Sequence, residues 1–440
     1  MFTFEQYTDV VPLWALALAP ILGGLVFMLC PARLRLPAAL IALPPFLLVG
    51  GLPLLGAVAL GAKALGFAML LAVAAAAVMA PGPKRRLSPL SYVYVPLALA
   101  GPVFIATTEE NLFPMLRSVQ WICMVLAVLA VARTIVDAQA LLRVLRLLAI
   151  GFIIDTPILL SALLSGHWTF SGHSRFEPYG ASSLQVGMVY TITVGLALYF
   201  AVRDRNVLWK VIWIGTVAAS AGMALLSGSR SVVITMMGVC APIGVWMLRK
   251  PILAVPMVGI LLVGIVVVIS QVDSNPFKRY QTLETTRWQQ AAEYIQESIA
   301  QRPLTGLLGT QGMKADVDEE LGYHAHNAYL KMAYTGGLVL AVPYLFLAAM
   351  SMYSAAQVWR NRWLLDVDPL LISTLAAFMF MVYAQGLVNH MIYLGTTMWG
   401  FMHLLLSTMF LTWAGEIARF RRANPALATM LAQRRAVAPA

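Results

Sequence analysis

Ile252-Leu-Ala-Val-Pro-Met-Val-Gly-Ile-Leu-Leu-Val-Gly-Ile-Val-Val-Val-Ile-Ser270 carries no charge, and it runs straight into Gln271-Val-Asp-Ser-Asn-Pro-Phe-Lys-Arg-Tyr280. The first stretch closes a series of ten long apolar segments that begins near Pro12, and the second opens a polar stretch lasting to Lys331. About 20 apolar residues, at about 1.5 Å of rise each, cross roughly 30 Å of hydrocarbon as a helix. Working outward from this junction, such segments fall at 11–30, 37–57, 62–80, 90–108, 115–132, 143–164, 182–201, 208–227, 229–248 and 252–270. They resume at 332–357, 367–388 and 391–413. The chain is 60% hydrophobic and only 11% charged, with a mean hydropathy of +0.80; a soluble domain carries about 25% charged residues. Helices satisfy their own backbone hydrogen bonds in lipid, and the short alternating segments of a membrane barrel are missing from the sequence. The expected fold is an all-α polytopic integral membrane protein. It has about 12–13 transmembrane helices and one large extracytoplasmic loop containing an amphipathic helix.

Four parts follow: a first transmembrane bundle at 1–270, a loop with a helical subdomain at 271–331, C-terminal transmembrane helices at 332–413, and a basic cytoplasmic tail at 414–440. The first apolar segment is too long, and its flank too acidic, for a cleaved signal peptide, so it reads as a retained anchor. Cys30, Cys123 and Cys240 all lie in apolar segments and supply neither a metal cluster nor a disulfide framework.

The net charge of +11 does not point to nucleic acid, because the basic residues are placed by topology. Arg33 and Arg35, Lys84 to Arg86, Arg133 with Arg143 and Arg146, Arg203 with Arg205 and Lys210, Arg249 with Lys250, and Arg360 with Arg362 occupy alternate connections. Arg419, Arg421 and Arg422 of the tail share their side, which the positive-inside rule makes the cytoplasm. Glu109 and Glu110, the stretch from His167 to Gly180 and the long insert then face out, as does the N-terminus with Glu5 and Asp9.

Inside the insert, Trp288, Ala292, Ile295 and Ile299 recur at spacings of three and four, predicting one amphipathic helix from Thr285 to Arg302 that lies along the outer interface or caps the bundle. Pro303 ends it, and Gly306, Gly309 and Gly312 mark turns.

Three residues here have the chemistry for an anionic substrate. Arg230 stands in Leu-Ser-Gly-Ser-Arg-Ser at the outer start of a span, on the side poor in cations. A helix N-terminus presents free N–H groups to an anion, and a guanidinium adds a bidentate fork suited to phosphate. The bland alternative is an arginine snorkelling to the interface. Arg287 opens the interfacial helix, where a cation opposes the helix dipole by about 0.3–1 kcal/mol. An anionic ligand at the membrane surface accounts for it; the alternative is a solvated residue near Glu284. Lys278, Arg279 and Arg175 extend a positive rim. His326, in Tyr-His-Ala-His-Asn-Ala-Tyr-Leu before the eleventh span, has the side chain most readily poised to take a proton near neutral pH. His324, two residues back, shares its face in an extended segment, but the spacing matches no strong zinc pattern and no metal or other cofactor is expected. Asn327 either touches substrate or caps the next helix. Gln385, Asn389, His390 and Tyr393, around the last outer turn, either reach the same cavity or bond between helices. Asp155, in Asp155-Thr-Pro157, is an intramembrane acid beside an expected kink, and a proton-coupled transporter would use it most.

These pieces resemble the O-antigen ligase/polymerase superfamily of bacterial glycan enzymes. The resemblance runs from about Met188 to Tyr393 and rests on Ser-Gly-Ser-Arg230-Ser, Arg287-Trp288, Pro303-Leu-Thr-Gly306, His326-Asn-x-x-Leu330 and Tyr334-Thr-Gly-Gly337. It implies a multi-pass protein of the bacterial inner membrane with its active site facing the periplasm. It also implies an inverting, metal-independent glycosyltransferase that moves a glycan from an undecaprenyl-diphosphate carrier. Arg230 and Arg287 would hold the diphosphate, and His326 would activate or orient the acceptor hydroxyl. The expected partners are that lipid-linked glycan donor, an acceptor and membrane lipids, with no nucleic acid. The acceptor is the lipid A-core oligosaccharide for a ligase, a second lipid-linked unit for an O-antigen or exopolysaccharide polymerase, or a protein hydroxyl for a protein-glycosylating relative; the ligase reading is preferred. The family's ligases often carry an acid near the last outer turn, where this chain has Asn389 and His390. A lipid or solute transporter or flippase is the competing class, but it would show paired broken helices that this sequence lacks. A structural subunit of an envelope assembly is the third.

Overall fold

The computed structural model describes residues 29–50, 52, 55, 57–106, 112–166, 168–171, 175–179, 183–249, 300, 303–304, 306, 327–387 and 397–425. Among them are eleven α-helices: α1 (Ala32–Val49), α2 (Ala57–Met79), α3 (Tyr94–Ala106), α4 (Leu112–Thr134), α5 (Ala138–Ser165), α6 (Ser183–Arg203), α7 (Val207–Leu226), α8 (Arg230–Leu248), α9 (Ala328–Arg360), α10 (Pro369–Gly386) and α11 (Met398–Ala423). Each overlaps one expected span. The expected spans 11–30 and 252–270, and the interfacial helix at 285–302, lie outside the described residues. Seven helices of the described residues are long and apolar enough to cross a membrane by length and composition. The protein is an all-α polytopic membrane protein.

Helix starts follow the polar residues just ahead of them. Asp137, Asn206, Asn327, Asp368 and Thr397 each accept a backbone N–H from the first turn of the helix they precede. The expected kink at Asp155-Thr-Pro157 is not a break, since α5 continues as helix through Pro157. The break lies instead in α9, where Gly337 adopts φ 57° and ψ −165°. The stretch after α5 forms a two-stranded antiparallel hairpin, β1 (Trp168–Ser171) and β2 (Arg175–Pro178), which pairs Trp168 with Pro178 and Ser171 with Arg175. Its aromatic and β-branched residues favour strand.

The core sits around α11, whose residues Met398 to Trp413 are all buried. Two of its polar side chains tie it to neighbouring helices: Ser407 bonds Tyr94 of α3 at 2.7 Å and also Ser351 of α9, and His403 Nε2 bonds the Tyr383 hydroxyl at 3.0 Å. By contrast α7 and α8 expose Val211, Ile214, Ile234, Met237 and Val245, the apolar faces a lipid environment would cover.

The basic connections gather at one end. Arg85 donates its backbone N–H to the Arg133 carbonyl at 2.7 Å and pairs with Glu416 of α11. Arg146 pairs with Asp204, and Arg203 with Asp368 at 2.7 Å. Arg421 donates to Asn361. Contacts therefore tie the connections after α2, α4, α6 and α9 to the end of α11 at one end of the bundle.

Candidate functional site at the opposite end of the bundle

At the other end, α7 and α8 are joined by three residues, Ser227-Gly228-Ser229. Gly228 has φ 61°, a left-handed conformation that a side chain would strain. Ser227 Oγ donates to the Ala224 carbonyl at 2.6 Å, Ser229 takes an extended conformation, and α8 begins at Arg230. The turn is buried: Ser227 and Ser229 are 1% and 8% exposed. Part of its cover is α6, where a side-chain carbon at Gly187 would stand 2.8 Å from Val232 and 3.0 Å from Ser227 Oγ. Arg230 is thus the first residue of α8, and the N–H groups of Val232 and Val233 go to the Ser229 carbonyl at 3.1 and 3.2 Å.

The C-terminal end of α10 packs against that first turn. Gln385 is 2% exposed, and its amide nitrogen donates to both the Ser231 carbonyl and the Thr235 hydroxyl. Thr235 itself donates to the same carbonyl at 2.8 Å. Two residues beyond Gln385, the Leu387 carbonyl accepts from Asn327 Nδ2 at 3.0 Å. The oxygen of the same Asn327 side chain caps α9, accepting from Tyr329 N at 2.9 Å and Leu330 N at 3.0 Å. The Tyr329 hydroxyl donates to the Tyr383 carbonyl at 2.8 Å, and its ring lies against Gly386. Ser231 and Asn327 are therefore held by residues 385 and 387 of one helix end. Their chain neighbours are Arg230 and His326.

A second junction lies deeper along α9. The break at Gly337 leaves the N–H groups of Leu338 and Val339 without helical acceptors, and the carbonyls of Pro303 and Leu304 take them at 2.8 and 3.2 Å. Two sequence motifs, Pro303-Leu-Thr-Gly306 and Tyr334-Thr-Gly-Gly337, thus meet as one joint.

Arg175 is placed by its backbone at the turn end of the hairpin, opposite Ser171. The hairpin is fastened by Tyr179, whose hydroxyl bonds Ser161 of α5 at 2.8 Å; this bond lowers the Tyr179 pKa below the usual tyrosine value. Lys278, Arg279, Arg287, His324, His326, Asn389, His390 and Tyr393 lie outside the described residues. Asp155, 1% exposed, has no hydrogen-bond partner on either carboxylate oxygen among the described residues, and neither has the Tyr190 hydroxyl. Sequence reasoning missed the bonds from Gln385 to Ser231 and Thr235, which pair residues about 150 positions apart, and the joint at Gly337. For the joint, the Gly336-Gly337 pair inside an apolar run was the available signal.

Residues 215–345 match the family model described as O-antigen ligase. The matched segment covers less than a third of the chain and runs from α7 through the Ser227 turn to the second half of α9. It contains Arg230, Arg287 and His326, and it shows the resemblance to the O-antigen ligase/polymerase superfamily. No curated protein matches the chain.

Proposed function

We propose that the protein is a glycosyltransferase at the periplasmic face of the bacterial inner membrane that moves a glycan from a polyprenyl-diphosphate carrier to an acceptor hydroxyl, with the lipid A-core oligosaccharide as acceptor. One observation carries this reading. The two bonds at the end of α10, Gln385 to Ser231 and Asn327 to Leu387, hold the chain next to Arg230 and the chain next to His326 at the same end of the bundle. The family match over this segment supports an enzyme of the ligase or polymerase type.

Arg230, with Arg287, grips the lipid diphosphate, and two guanidinium groups offset the charge that grows on it as it leaves. His326 accepts the proton of the acceptor hydroxyl, within about 3 Å. The acceptor oxygen bonds the anomeric carbon from the side opposite the diphosphate, the carbon–oxygen bond to that diphosphate breaks, and the configuration inverts. Arg175, Lys278 and Arg279 extend the positive charge toward the substrate, and His324, Asn389, His390 and Tyr393 contribute to substrate binding. Among the described residues, the hydrogen bonds that join α8, α9 and α10 at this end are neutral, which favours an anionic substrate.

The test is purified protein in proteoliposomes with a lipid-diphosphate-linked glycan, a chelator, and either lipid A-core or a second donor molecule as acceptor. Extension of lipid A-core is the expected result, and extension of the second donor makes the protein a polymerase. Movement of the donor across the bilayer with no new glycosidic bond makes it a flippase and ends the enzyme reading.

A further inference from the structure

We infer that Gln385 is a positioning residue: through its amide it fixes the first turn of α8, and so sets the direction in which Arg230 meets the lipid diphosphate. The inference rests on the proposed role of Arg230. A glutamine 2% exposed in an apolar helix is expensive unless its polar atoms are bonded. Here only half of the amide is matched, since Oε1 has no hydrogen-bond partner among the described residues. Nor does α8 need the contact to satisfy its backbone. The Ser231 carbonyl already accepts from the Thr235 hydroxyl, and the helical pattern directs the Thr235 N–H to it as well. A third donor on that carbonyl adds little satisfaction, but it adds orientation.

The geometry of the contact favours that purpose. Ser231 follows Arg230 directly, and Thr235 lies one turn further along the same face. Bonds to both from one rigid amide group resist rotation of α8 about its axis. Further along α8, Gly238 lets the Met381 side chain of α10 approach closely, with no room for a side-chain carbon between them. Gln385 does not contact substrate in this reading; it acts through the helix that carries Arg230.

The experiment measures affinity for a short-chain polyprenyl diphosphate in detergent, together with thermal stability, for the full chain and for Gln385→Leu, Arg230→Ala and the double variant. Gln385→Leu keeps volume and apolar packing, and its expected effect is about a tenfold weaker diphosphate affinity, equivalent to about 1.4 kcal/mol. In the Arg230→Ala background the same change should cost less than about twofold, because its route of action is gone. Gln385→Glu should regain affinity relative to the unmodified protein as pH falls, since a protonated carboxyl donates to the Ser231 carbonyl and an ionised one repels it. If Gln385→Leu fails to fold, Thr235→Val, which removes one of the two acceptors, should give a smaller loss of the same kind. An equal loss in both backgrounds overturns the role of Gln385 and leaves that of Arg230 standing. Unchanged diphosphate affinity in Arg230→Ala overturns the functional reading itself.

Discussion

The two ends of the bundle are held together by different chemistry. At the basic end, ion pairs do the joining: Arg85 with Glu416, Arg146 with Asp204, Arg203 with Asp368. Aromatic rings share the cations, with Arg203 over Trp246 at 5.1 Å and Arg146 over Trp209 at 5.3 Å. Cations crowd there: burial, and then the charge of Arg133, lower the pKa of Lys84, while burial, and then Arg249, lower that of Arg362. At the opposite end the described contacts between helices are neutral: amide to carbonyl at Gln385 and Asn327, hydroxyl to carbonyl at Tyr329, and backbone to backbone at Pro303 and Leu304. Charge is put to different use at the two ends. Carboxylates fasten the basic end, and their partners are occupied with structure. Among the described residues, the contacts between helices at the other end involve no carboxylate, which suits the diphosphate binding proposed for it.

Substitution can break this contrast. The largest effect is expected from Arg230→Ala and Arg287→Ala, each lowering transfer by about 100-fold or more, because each withdraws charge from the leaving diphosphate. Turnover of lipid-linked glycan in proteoliposomes checks it. Next comes Gly337→Ala. The observed φ and ψ lie in a region essentially restricted to glycine, and forcing a side chain there costs about 1–3 kcal/mol. The expected outcome is a lower unfolding temperature together with lost transfer, because the joint with Pro303 and Leu304 opens. At the basic end, Asp204→Asn should cost about 1 kcal/mol, a modest value because Arg146 is more than a third exposed. It should also leave diphosphate affinity unchanged, as measured by thermal unfolding and ligand titration side by side. Arg203→Gln, which removes a more exposed pair, should move stability by less still. If the basic-end variants weakened diphosphate binding as much as Arg230→Ala, the division of labour between the ends would be lost.

Much of this architecture is readable from hydropathy and charge. Apolar length locates α4, α5, α7, α8 and α10 within a few residues, because a helix in lipid has no other way to satisfy its backbone. Alternation of Arg and Lys among the connections gathers the basic ones at a single end, where the Arg85–Arg133 and Arg203–Asp368 contacts form. What hydropathy misses is local and long-range at once. A single glycine breaks α9 while the apolar run continues on both sides, so nothing in the average marks it. The hairpin at Trp168–Pro178 is too short to leave a period. In the site, Arg230 stands out because a cation on the cation-poor side needs a reason. Gln385 stands out only as a polar residue in an apolar helix. Whether it faces a ligand or Ser231 depends on how α8 and α10 pack, which spacing within either helix cannot express.

The most direct measurement is donor binding and single-turnover transfer recorded together for His326→Ala. Diphosphate affinity should stay within about twofold of the unmodified protein while transfer slows by about 100-fold or more, the loss expected for a missing general base. Full transfer by that variant, or loss of donor binding equal to that of Arg230→Ala, would contradict that role.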